Sequence, residues 1–117
     1  MGNEFVNNGE TAKAIENFEQ QIAISREIGD RLSEGNALGN LGLAYAKLGE
    51  AAKSIMHYKE NLAVARELGD RRSESIALGN LGIAHADQGE TAEAIEHFEQ
   101  QIAIAREIGD RRSEGNA

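Results

Sequence analysis

Residues 90–117 read ETAEAIEHFEQQIAIAREIGDRRSEGNA, and residues 10–37 read ETAKAIENFEQQIAISREIGDRLSEGNA. The two stretches differ only at Lys13/Glu93, Asn17/His97, Ser25/Ala105 and Leu32/Arg112. A more divergent copy lies between them, so that Gly29-Asp30 recurs as Gly69-Asp70 and Gly109-Asp110, always 40 residues on. Gly9-Glu10, Gly49-Glu50 and Gly89-Glu90 form a second series with the same step. A fixed period of roughly 20–50 residues marks a stack of repeated units, each burying its apolar face only against its neighbours. Such a stack offers an extended binding surface more readily than a catalytic pocket.

Each period holds two runs bounded by glycine. Arg31–Leu48 recurs at Arg71–Gln88, and Ala51–Leu68 recurs at Thr11–Ile28 and Thr91–Ile108. Within Thr91–Ile108 the residues Ala92, Ile95, Phe98, Ile102, Ala105 and Ile108 fall at spacings that make one stripe of an α-helix. Leu38, Leu41, Tyr45 and Leu48 do the same in the other run, with Ala37 and Ala44 widening the face. Sustained alternation is absent and β-branched residues are sparse, so strands are not expected. Gly29, Gly69 and Gly109 suit the left-handed residue that ends a helix, and the aspartate after each can cap the next helix, with serine three residues on. Gly49 and Gly89 end the other runs, ahead of Glu50 and Glu90. Turns this short force neighbouring helices antiparallel, and with no proline in the chain no interior kink is expected.

Composition narrows the function classes. The 117 residues form one domain of just under three periods, close to the roughly three repeats such stacks need. A net charge of −8 argues against nucleic acid and anionic membranes as partners, since nucleic-acid binding needs a basic face. There is no cysteine, which removes disulfides and thiolate metal sites. Met1–Phe5 has neither a basic region nor an apolar run, so no signal peptide is visible, and no stretch approaches the ~20 apolar residues of a membrane span. The default expectation is a cytoplasmic protein.

Leu41-Gly42 followed by Tyr45, Gly49, Ile55 and Tyr58 resembles the tetratricopeptide repeat, and Leu81-Gly82, His85, Gly89, Ala94, Ile95 and Phe98 match the pattern again. In that family the glycine after leucine lets two helices approach closely, while the later small and aromatic residues fill the hairpin core. Ala14 and Ala94 hold the small position, where the middle repeat has Ser54. The common form has a shorter repeat and a proline near the end of its second helix; this chain has neither. It is more similar to the long-repeat variant of cell-polarity adaptors of the Pins/LGN type and of kinesin light chains, through Glu67–Arg71 and Ala77–Gly82. The resemblance implies an all-α, right-handed solenoid of antiparallel helix pairs. It divides the chain into a partial first helix (1–8), units at 9–30, 31–70 and 71–110, and a partial helix (111–117).

The resemblance also implies a role: a non-catalytic scaffold that binds a protein or peptide on the concave face of the first helices, without a cofactor. By that analogy the groove is lined by Asn36, Asn40, Leu43 and Lys47, and one period later by Ile76, Asn80, Ile83 and Asp87, with Gly39, Ala46, Gly79 and Ala86 between them. Asn40 and Asn80 stand out because an amide can both donate to and accept from an extended peptide backbone. Bonding within the helix or to water is the other reading. Where chaperone-tail binders of the family place a cationic carboxylate clamp, this chain has Gly39, Leu43, Ile76 and Ile83, so a clamp is not expected. Polarity adaptors carry arginine or asparagine at several of these sites, and this more apolar groove does not inherit their preference for acidic peptides.

Other residue clusters are read blandly. His57 and His97 lie one period apart without a third ligand and are expected to be solvated, while His85 takes the core slot of Tyr45. Glu16/Glu19 and Glu96/Glu99 read as a solvated helix face rather than acid–base pairs, and Arg26, Arg66 and Arg106 complement helix dipoles. No nucleophile, phosphate-loop or metal motif is present, so the chain is not expected to be an enzyme. Met1–Asn8 matches the back half of a first helix and Arg111–Ala117 the front of one, with no polar cap written at either end. Phe5, Ile95, Phe98, Ile102 and Ile104 are expected to present apolar surface there. The chain is then either part of a longer array or a homo-oligomer, joined head-to-tail or through exchanged terminal helices. A head-to-tail joint would lack the equivalents of Leu38, Gly39 and Asn40.

Overall fold

The computed structural model describes the backbone of residues 2–116 and the side chains of residues 9–109. Its elements are α1 (Gly2–Ile28), α2 (Arg31–Lys47), α3 (Ala51–Leu68), α4 (Arg71–Asp87) and α5 (Thr91–Asn116), with no strand among the described residues. Each helix packs against the next in sequence, α1 on α2, α2 on α3, α3 on α4 and α4 on α5. The Cα radius of gyration is 15.9 Å, against roughly 13 Å for a compact chain of this length. The molecule is an all-α repeat solenoid.

The turns form as their residues dictate. Gly29, Gly49, Gly69 and Gly89 have φ of 76°, 76°, 68° and 76°, the left-handed region open to glycine without a Cβ penalty. Asp30 then caps α2, accepting the Ser33 N–H at 3.1 Å and the Ser33 hydroxyl at 2.7 Å. Asp70 and Ser73 repeat those bonds at the start of α4 at the same distances.

Two turns expected from the same dipeptides do not form. The helix α1 runs through Gly9-Glu10, and α5 runs through Gly109-Asp110, with neither glycine at positive φ. At the four real turns, the helix after the glycine packs back on the helix before it. Arg111–Asn116 spans less than two turns, and nucleating so short a separate helix is unfavourable. Continuing the existing helix keeps each backbone bond instead.

The core is a row of sandwiches. Leu38 and Leu41 of α2 pack between Ile22 of α1 and Val64 of α3, with Ile15, Phe18 and Tyr45 partly buried at the edge. One period on, Leu78 and Leu81 of α4 lie between Ile55, Tyr58 and Leu62 of α3 and Ile104 of α5. Leu78, Leu81 and Ala77 are fully buried. The short helices α2 and α4 thus each bury one face between two others.

Close approach within each pair depends on Gly42 and Gly82. A Cβ on Gly42 would stand 2.6 Å from the Tyr58 ring, and one on Gly82 would stand 2.6 Å from the Phe98 ring. Ser54, the departure from alanine in the middle repeat, is fully buried and donates its hydroxyl to the Gly42 carbonyl at 2.8 Å. Burial thus costs the hydroxyl no unpaired group.

The stripe read in Thr91–Ile108 is rotated from its expected position. Ala94 and Ile104 are buried and Phe98 and Ile108 half-buried, whereas Ala92, Ile95, Ile102 and Ala105 are exposed. The reason is visible in α3, which has two apolar faces: Val64 meets α2, Ile55 and Leu62 meet α4, and the Tyr58 ring touches both. Helix α5 has a partner for only the first. Gly82→Val is expected to destabilise the fold by about 2 kcal/mol through overpacking on Phe98, lowering Tm by roughly 8 °C. Thermal unfolding checks this against Ile83→Val, which should change stability by less than about 0.5 kcal/mol at an exposed site.

Candidate functional site

On α2 and α4 the face opposite the core repeats at three- and four-residue steps. It carries Asn36, Asn40, Leu43 and Lys47 on α2 and Ile76, Asn80, Ile83 and Asp87 on α4. Leu43, Ile76 and Ile83 are 49%, 57% and 55% exposed, large apolar side chains in water beside Asn40 and Asn80. Gly39 sits tight against the Asn61 amide, which donates to the Gly35 carbonyl at 2.8 Å, so the floor between the rows is closely packed.

Asn40, Leu43 and Lys47 also line a cleft of about 910 Å³, whose other wall is Glu10, Thr11, Ala14 and Phe18 of α1. Asn36 lies apart, near Leu32 and Asn61. The residues of α4 form a second row one period on. Helix geometry therefore brings the eight expected groove residues onto two matching rows, with Lys47 and Asp87 giving the C-terminal ends of the rows opposite charge.

The expected end-face residues divide. Ile95 and Ile102 are 51% and 49% exposed, and Phe98 is half-buried against Gly82. Ile104 does not belong with them: it is 4% exposed and packs into the α4 core, on the opposite side of α5 from Ile102. Phe5 lies outside the described side chains.

The arginines do more than complement helix dipoles. Arg26 reaches across to the buried Glu34 at 2.7 Å, Glu34 also pairs with Arg31 at 3.0 Å, and Arg31 pairs with Glu67 at 2.6 Å. The same relay recurs as Arg66–Glu74 at 3.1 Å, Glu74–Arg71 at 2.8 Å and Arg71–Glu107. It bolts each of α2 and α4 to the helix before and the helix after. Sequence reasoning passed over Glu34 and Glu74; the recurring eight-residue step from arginine to glutamate was the signal. The Arg26 hydrogen bond, with a second from Arg31, holds the Glu34 carboxyl below its ordinary value against the opposing effect of burial. Ser33 does the same for Asp30, and Ser73 for Asp70, through hydroxyl and backbone N–H.

The histidines are packed rather than solvated. His57 stacks on Tyr45 at 5.3 Å and His97 on His85 at 5.1 Å, each nearly parallel. His85 is 6% exposed, as its core slot predicts, and its Nδ1 lies 3.1 Å from Glu90 Oε1. No group of three His, Asp or Glu among the described residues could hold a metal ion. None of the described helices is long and apolar enough to cross a membrane.

The sequence pattern of the tetratricopeptide repeat matches residues 33–107. The chain belongs to the tetratricopeptide repeat family. A second pattern, that of anaphase-promoting complex subunit 5, matches residues 3–33. No curated protein matches the chain. Among solved structures it is similar to the tetratricopeptide repeat domain of Arabidopsis FLU, with a TM-score of 0.78 at 21% identity, covering 90% of this chain and 88% of that one. At that identity the likeness speaks for the fold. Tetratricopeptide repeat domains generally serve as protein-interaction scaffolds and are typically non-catalytic.

A depressed carboxyl contributes stability that is complete above its unfolded value and lost as pH falls through its folded value. The Glu34 contribution should therefore be constant at neutral pH and decline below about pH 4.3. Glu34→Gln should cost about 1–2 kcal/mol at neutral pH, at the low end for a charged hydrogen bond because Arg26 and Arg31 are well exposed. Urea unfolding at a series of pH values checks both: the variant should lose less stability on acidification than the parent protein.

Proposed function

We propose that the chain is a protein-binding scaffold whose concave face, built from α2 and α4, docks an extended segment of a partner protein. The observation that carries this reading is the exposure of Leu43, Ile76 and Ile83 on the rows that hold Asn40 and Asn80. Apolar side chains of the segment would lie on Leu43, Ile76 and Ile83. Its backbone would exchange hydrogen bonds with the two amides, each of which can donate and accept. The rows carry little cationic character beyond Lys47, which favours an apolar segment over an acidic tail. With a net charge of −8 the reading takes proteins rather than nucleic acid as partners, in a cytoplasmic setting. The 40-residue period and the lack of proline favour the long-repeat variant of the family, with units 9–30, 31–70 and 71–110 counted by sequence period while α1 and α5 continue through the outer boundaries.

A second reading, a structural role through self-association, rests on different side chains, those of α1 and α5. The two readings separate by substitution. Peptides selected on the protein from a displayed random library should be rich in apolar residues. Asn40→Ala with Asn80→Ala should weaken their binding by about tenfold, the scale of one or two lost hydrogen bonds. Fluorescence anisotropy with a selected peptide measures it; unchanged affinity in a normally folded double variant rules the groove out.

A further inference from the structure

The repeat makes its own comparison of covered and uncovered surfaces. Val64 on α3 and Ile104 on α5 are 3% and 4% exposed, each under the helix that precedes it, but their equivalent Ile24 on α1 is 57% exposed. On the other face, Ile55 and Leu62 are 8% and 7% exposed beneath α4, while their equivalents Ile95 and Ile102 are open. Both uncovered faces are therefore shaped for one and the same occupant, a helix of the α2 and α4 type.

Charge follows the same logic. Inside the stack, Arg31 meets Glu67 and Arg71 meets Glu107, joining each inserted helix to the helix after it. Glu27 is the equivalent of Glu67 and Glu107 on α1, and among the described residues it has no such arginine. Arg106, the equivalent of Arg26 and Arg66, has no glutamate partner of that kind among the described residues. The sequence of Arg111–Ala117 repeats that of Arg31–Ala37 at all but one position, Leu32/Arg112, and so carries both missing charges as Arg111 and Glu114. The backbone of α5 is helical to Asn116.

We propose that the open face of α1, centred on Ile24 and Glu27, receives the Arg111–Asn116 segment of a second copy of this chain. In register, Arg111 of one copy meets Glu27 of the other as Arg31 meets Glu67, and Gly115 meets Ile24 as Gly35 meets Val64. Gly35 fits there because a Cβ would stand 2.7 Å from Val64 Cγ1. The joint extends the α2–α3 interface to a new pair of chains and uses none of the groove amides.

A charge swap tests it. Light scattering across a concentration series should show a dimer or larger assembly. Glu27→Arg alone and Arg111→Glu alone should each raise the dissociation constant by about tenfold or more, since each sets like charges against each other. Mixing the two variants restores opposite charges at both joints and should restore the assembly. Glu27 is exposed on α1, and circular dichroism confirms that the variants fold. A monomer at all concentrations, an assembly indifferent to both substitutions, or a mixture no stronger than its components would overturn the proposal.

Discussion

The close approach of helices at Gly42 and Gly82 governs the rest of the structure. Without a Cβ, the backbone of α2 lies on the Tyr58 ring and that of α4 on the Phe98 ring. That contact sets the hairpin, and the hairpin sets which side of α2 and α4 faces the next long helix. Each of these helices then spends Ala37, Leu38, Leu41 and Ala44, or their equivalents, on two neighbours at once. The remaining face is left for water and whatever binds there. The groove is a by-product of a packing rule, and its repetition follows from the repetition of the rule.

The ion relay complements this apolar row. Arg26–Glu34–Arg31–Glu67 and its copy tie each inserted helix to the helices on both sides of it. Glu34 and Glu74 are buried while their arginines remain largely exposed, which lets the charges be satisfied without full desolvation of both partners. The same relay tells a following helix where to sit. It gives the stack a register that apolar contacts alone would specify loosely.

Much of this was legible in the letters. The spacing of Leu38, Leu41 and Ala44 located the core face, and the glycine–aspartate pairs located the turns at Gly29 and Gly69. Local sequence failed at the turns expected at Gly9 and Gly109, and the second is the more instructive. Glu27–Arg31 and Glu107–Arg111 are the same five residues, EIGDR, yet the first makes a turn and the second continues a helix. The turn exists only when the helix beyond it finds a partner to pack against, which is a tertiary condition. Ile104 and Ile102 teach the same lesson on one helix. Both sit in an apolar run, and only the position of α4 decides which is buried. Of the candidate groove, the periodicity placed Asn40, Leu43, Asn80 and Ile83 outward, and the structure shows them accessible there. The relay was harder to see, because glutamates in an acidic helical protein look like solvated surface until their arginines are located in space.

The most direct test of the scaffold account is a backbone amide shift map with a selected apolar peptide. If the account is right, the largest shifts on titration fall on residues 36–47 of α2 and 76–87 of α4 and saturate together. Shifts centred instead on the outer side of α3, around Met56, Ala63 and Glu67, would contradict it.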